Sequence, residues 1–129
     1  GIEYQLRWTP AAHTLLLFNQ ARLRIESEDG RVADSAPRRA TTLFVSHRLP
    51  FGLQASLAHH WVGGFRWQGW ADALPMQRRL DLRFAYPFRS GPMKGEFALV
   101  VQNAKGPYSE FRSDYVFDRR SFATLSLEF

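Results

Sequence analysis

The side chains best suited to chemistry are a serine and two histidines close together, Ser56, His59 and His60. A metal site needs several ligands converging on one point. His59 and His60 are neighbours in a strand-like run, so they point to opposite faces and cannot hold one ion from the same side. His13 and His47 are distant in sequence. A nucleophile needs a base within hydrogen-bond reach. Ser56 and His60 share a face, but a rise of about 3.3 Å per residue sets them too far apart. Asp81 could orient a base from the next strand, yet no nucleophile motif surrounds Ser56. Glu26, Glu28 and Asp29 beside Gly30 lack the spacing of a calcium loop and read as a solvated turn. There is no cysteine, so neither disulfides nor thiolate metal sites are open to the chain. The expectation is a protein that is no enzyme and carries no metal and no cofactor.

The elements that carry these residues alternate. The final run, Arg119 to Phe129, sets Phe129, Leu127, Leu125 and Ala123 on one face, against Glu128, Ser126, Thr124 and Arg120 on the other. Six earlier segments repeat the pattern: Ile2 to Thr9, His13 to Ser27, Ala40 to Leu49, Gly52 to Gln68, Arg78 to Phe88 and Gly95 to Asn103. In the second, Leu15, Leu17, Ala21, Leu23 and Ile25 are read as the apolar face, with Leu16 and Phe18 as exceptions. The fifth is the clearest, with Leu80, Leu82, Phe84 and Tyr86 against Arg79, Asp81 and Arg83. Charge at each polar position argues for a wet face. A strand apolar on one side and polar on the other fits a membrane β-barrel, lipid outside and water inside. A half-buried soluble strand gives the same alternation. No apolar run approaches the roughly 20 residues of a spanning helix. Residues 1–129 are therefore read as one segment of all-β structure: antiparallel transmembrane β-barrel strands, about seven of them.

The connections alternate in length. Thr9 to Ala12, Pro50 to Gly52 and Ser90 to Pro92 are tight, Pro- and Gly-rich turns. Glu28 to Arg38, Gly69 to Pro75 and Gly106 to Asp118 are long and polar. Outer-membrane barrels are built this way, with short periplasmic turns and longer outer loops. The last strand then descends, with Phe129 at the periplasmic rim. Trp8, Phe51, Tyr86, Phe88 and Phe129 gather at one interface, and Trp61, Phe65, Trp67 and Trp70 at the other, as two aromatic girdles would. Seven is odd where bacterial single-chain barrels are even, so the chain reads as the carboxy-terminal part of a larger barrel. The alternative is an eighth strand within Tyr108 to Phe117, giving a complete small barrel. Gly1-Ile2-Glu3 begins no signal peptide, which suits a mature or excised chain.

Basic residues exceed acidic ones, 17 to 12, which permits anionic partners. Arg7, Arg22, Arg24, Arg48, Arg66, Arg79 and Arg83 are placed on the lumenal face with Glu3, Glu26, Asp81 and Glu96. They serve either as an anion-attracting wall or as a ladder of cross-strand ion pairs, and the mixture of signs favours the ladder. Their dispersal through whole strands, rather than in one stripe, argues against nucleic acid.

Several stretches together resemble the end of a TonB-dependent outer-membrane receptor. They are GIEYQLRWTP, HTLLLFNQARLRIES, RATTLFVSHRLPFGLQASLAHHWVGG, MQRRLDLRFAYPF, FALVVQNAKGPYSEF and VFDRRSFATLSLEF. Each is loose alone; their order and spacing cover nearly the whole chain. Asn103 and Tyr108 match the family's pattern, whereas Ala104 stands where a leucine is usual. Ser121 stands where the terminal assembly signal is often bulky. The resemblance implies a bacterial outer-membrane location and a barrel of about 22 strands, of which this is the last third. It implies uptake of an anionic metal chelate, siderophore-like, or a similar nutrient. The implied partners are outer-membrane lipid and lipopolysaccharide, the barrel-assembly machinery, a plug domain with the remaining strands, and TonB through sequence amino-terminal to this chain. Leu125, Leu127 and Phe129 would resemble the assembly signal. The outer-loop residues combining rings with cations are Trp67, Trp70, Arg78, Phe111, Arg112, Tyr115 and Arg119. Such a set suits a planar or anionic chelate, or equally an interfacial girdle against lipopolysaccharide phosphates. Two other readings compete: a complete small barrel with a structural or adhesive role, and a soluble β-sandwich binding an anionic partner.

Overall fold

Alternating segments become strands when each finds a partner on both sides. The computed structural model describes residues 1–129. In chain order the elements are β1 (Ile2–Ala11), β2 (Thr14–Arg22), the short helix α1 (Gly30–Ala33), β3 (Arg39–Arg48), β4 (Gln54–Val62), β5 (Phe65–Arg66), a 3₁₀ turn (Trp67–Gly69), β6 (Ala73–Leu74), β7 (Gln77–Ser90), β8 (Met93–Gln102), β9 (Tyr108–Ser109), β10 (Val116–Phe117) and β11 (Arg120–Glu128). Seven of them form one sheet in the order β1-β2-β3-β4-β7-β8-β11, every neighbour antiparallel. The pairs β5–β6 and β9–β10 are separate small hairpins within the long loops. No eighth long strand occurs in Tyr108 to Phe117; that stretch holds the β9–β10 hairpin.

The sheet is a single layer and does not close on itself. The chain exposes 9120 Å², whereas a compact monomer of this size exposes about 7,000 Å². The only buried apolar residues are Leu74, Ala85 and Ala98. Nothing covers the apolar side chains of the sheet: Leu6, Phe97 and Leu125 are each half exposed or more.

Register assigns the faces, because directly opposed residues point the same way. Leu6, Phe18, Leu43, His59 and Leu80 form one row, and Trp8, Leu16, Val45, Leu57, Leu82 and Val101 the next. This is the apolar face. Ser46, Ser56 and Arg83 lie on the other, with Thr42, His60 and Arg79 beside them.

The second segment differs from its reading. Leu16 and Phe18 belong to the apolar face, while Leu15, Leu17 and Ala21 point to the polar one. The cause lies in β1. Trp8 opposes Leu16 but Ala11 opposes Thr14, so one extra residue sits in β1 between them. That is a β-bulge at Pro10, which has no N–H to give the ladder. A one-residue slip turns every side chain of a strand over. Arg22 therefore joins the apolar face, and Arg24 lies outside the sheet, paired with Glu26 at 2.9 Å.

Strand ends are set by partners. β2 stops at Arg22 because β3 begins only at Arg39; Leu23 N–H donates to Arg38 O at 3.0 Å and the chain then leaves. Leu23 and Ile25 thus fall outside any strand. β4 stops at Val62, before Gly63-Gly64, and Phe65, Arg66 and Trp67 belong to a loop. At the other end the turns are short. Gly91 has φ +59 and precedes Pro92, with Ser90 and Met93 paired across them, the signs of a type II′ hairpin. The strands are staggered. The paired row through Thr14 runs His47, Ala55, Phe84, Leu99 and Ala123. It starts beside a short turn and finishes near the long-loop end of β11.

Candidate functional site: a cavity beneath the long loops

The three long loops fold over the polar face of β4 and β7 and pack against one another. Arg66 N–H donates to Asp34 O at 2.8 Å, tying the second loop to the first. The Arg31 guanidinium lies 4.2 Å above the Trp70 ring. Gly69, at φ +74, lets the backbones touch: a Cβ there would fall 2.5 Å from Arg31 O. Ser113 Oγ donates to Asp72 Oδ2 at 2.9 Å, and the Trp67 and Phe111 rings meet edge-on at 5.0 Å, joining the third loop.

Arg79 and Asp81 anchor that third loop. They are two residues apart on β7, hence on one face. Arg79 Nη2 and Asp81 Oδ2 are 2.7 Å apart, and Arg79 Nη1 donates to Tyr108 Oη at 3.3 Å. Asp81 Oδ1 accepts the Asn103 N–H at 3.0 Å. Asn103, buried and left-handed at φ 56, ends β8. Its Nδ2 donates to Phe117 O at 3.2 Å and Asp118 O at 2.9 Å, closing the loop on itself. The Tyr108 and Phe117 rings stack at 5.3 Å.

Between loops and sheet lies a cavity of about 410 Å³. Its floor is His60, Val62, Gln77 and Arg79; its walls include Pro37, Phe65, Trp67, Tyr108 and Phe111, with Glu110 among them. Volume and mixture suit a small ring-bearing molecule. Arg79 is paired with Asp81 and Glu110 lies in the wall, while the Trp67 and Phe111 rings offer faces on which a ligand ring can stack.

Of the residues read as ligand contacts, Trp67 and Phe111 line this cavity. Trp70 and Arg112 line a shallower depression that shares Trp67. Tyr115 and Arg119 lie on the loop outside both. Arg78 faces away, opposite Trp61 on the apolar face. The sequence reading did not place His60, Gln77, Arg79 or Tyr108 here.

The other candidates do not converge. His60 Nδ1 lies 3.0 Å from Thr42 Oγ1, and Ser56 opposes Ser46 and Arg83. Asp29 Oδ1 caps α1 by accepting Arg31 N–H at 2.9 Å. No three His, Asp or Glu side chains gather where an ion could be held. On the polar face Arg83 pairs with Glu96, and Lys94 lies 3.8 Å from Glu128 across the β8–β11 ladder.

The architecture defines the chain as an all-β protein built on one antiparallel sheet. Neither protein-family models, nor curated proteins, nor solved structures give a match to it.

Proposed function

We propose that the chain is part of the wall of a membrane-spanning β-barrel in the bacterial outer membrane, of the TonB-dependent receptor type. Its loops capture a ring-bearing anionic metal chelate or similar nutrient for uptake, and the chain itself does no chemistry. One observation carries this reading: a single-layer sheet whose apolar face is uncovered and whose polar face holds the loop-roofed cavity. In water such a face aggregates; in a bilayer it is solvated by lipid. The staggered rows agree with the strand tilt that barrel closure requires. Strand parity adds a further argument. With seven strands, each antiparallel to its neighbours, β1 and β11 run the same way, so joining them directly would make a parallel pair. Antiparallel closure needs further strands between those edges, which is how a larger barrel with its own plug would complete the wall.

These 129 residues hold no cysteine, so each introduced thiol is the single one among them. Single cysteines are placed at Leu80, Asp81, Leu82, Arg83 and Phe84 and exposed to a membrane-impermeant maleimide in intact outer membranes. Positions 81 and 83 are expected to label and positions 80, 82 and 84 to resist. Uniform labelling would sink the membrane-wall reading. For the ligand half, a cysteine at Ser109 in the cavity wall is labelled with and without a ferric tris-catecholate. Protection is expected; an unchanged rate removes the chelate.

A further inference from the structure

The apolar face carries no carboxylate among its strand residues. Its only charged side chains are three arginines, all at the long-loop end: Arg22, Arg39 and Arg78. Arg22 and Arg39 oppose each other directly across β2 and β3, an arrangement that like charges destabilise. None of the three meets an acidic partner. Arg39 is nonetheless held in place. The Gln20 amide, oriented by its partners, turns its oxygen to Arg39 Nε at 2.9 Å and Nη2 at 3.1 Å, and its nitrogen to the Tyr4 hydroxyl. Gln20 and Thr41 are both buried beneath this network. Below Arg39 a groove of about 350 Å³ runs along the sheet, walled by Phe18, Leu43, Trp61 and Met76. The His59 ring packs on Trp61 at 3.8 Å and stiffens that wall.

We propose that Arg22, Arg39 and Arg78 bind the phosphate of an anionic lipid, with an acyl chain of that lipid lying in the groove below. A fixed cation above an apolar channel matches the division of an amphiphile. Guanidinium forks bind phosphate oxygens bidentately, which supplies the anion missing from this face and removes the Arg22–Arg39 repulsion. The site rests on the reading that this face meets lipid. It lies on the opposite side of the sheet from the loop cavity and is independent of any imported ligand.

The test uses the polypeptide extracted from membranes in dodecyl maltoside. Lipid adducts are counted by native mass spectrometry with dioleoyl phosphatidic acid, with dioleoylglycerol, and with inorganic phosphate as competitor. Phosphatidic acid is expected to be retained at least tenfold better than the diacylglycerol. The pair Arg39→Gln with Arg78→Gln is expected to abolish that preference, while Arg7→Gln with Arg48→Gln, an equal charge change on the polar face, leaves it intact. Equal retention of the two lipids, or equal loss in both variant pairs, overturns the site. Displacement by millimolar inorganic phosphate overturns the lipid half and leaves a free-anion site. A polypeptide that stays monomeric without detergent overturns the lipid-facing reading along with it.

Discussion

Replacing Arg79 with alanine should release the loop from Asn103 to Arg119 without disturbing the sheet. Two tethers to the loop go at once, the hydrogen bond to Tyr108 at 3.3 Å and the guanidinium 5.6 Å from the Tyr108 ring; the pair with Asp81 lies within β7 and is the same with the loop open or closed. A hydrogen bond to a charged group contributes about 1.5–3 kcal/mol. Arg79 keeps 33% of its side-chain surface exposed and its bond to Tyr108 is long at 3.3 Å, so that bond falls at the lower end of the range, about 1.5 kcal/mol. The ring contact, partly wet, adds about 0.5 kcal/mol. Together they make loop opening easier by about 2 kcal/mol, and at 1.4 kcal/mol per tenfold the open population rises about 30-fold. Where opening is fast relative to cleavage, proteolysis follows that population. Trypsin should therefore cut at Lys105 and Arg112 about 30-fold faster in Arg79→Ala, judged by mass spectrometry at limiting protease in detergent. Asp81→Asn keeps an acceptor for Asn103 and should accelerate cutting less. Tyr108→Phe loses only the hydroxyl contact, about 1.5 kcal/mol of the total, and should accelerate cutting about tenfold. A rate within about threefold of the parent for Arg79→Ala would refute the idea that Arg79 anchors the loop through Tyr108.

Two further perturbations address other parts of the molecule. Gly69→Ala places a Cβ against the Arg31 carbonyl at a positive φ, a strain of about 1–3 kcal/mol; it should separate the first and second loops, seen as faster amide exchange at Arg66 and Trp70, and unchanged exchange would remove that contact from the account. Phe129→Ala with Leu127→Ala strips two exposed apolar side chains from the end of β11 and should lower the amount inserted in the outer membrane; undiminished insertion would end the assembly-signal reading.

Much of the fold was legible because strand alternation is local. In the fifth segment charge and apolar side chains alternate without a break, and β7 has the faces this implies. The same holds for the last run and β11. The loop lengths, short at one end and long at the other, follow from where Pro and Gly fall. The cavity was legible only in fragments. Trp67 and Phe111 could be picked out as rings on loops, but nothing in their spacing says that they meet. His60 and Arg79 join them because β4 and β7 are neighbours, a pairing between residues far apart in sequence.

The sequence by itself determined which stretches are strands and that each strand has an apolar and a polar side, because a period of two needs no partner to be read. Tertiary structure alone decided which way β2 faces. Leu15 to Phe18 are four apolar residues in succession, so alternation is silent there, and the bulge at Pro10 together with pairing to β1 and β3 settles it. Pairing also decided where strands stop, since Leu23 and Ile25 have the right chemistry but no neighbouring strand to accept them. It gathered Arg22, Arg39 and Arg78 at one rim of the apolar face, an arrangement that arises from register between strands and is written in no single segment.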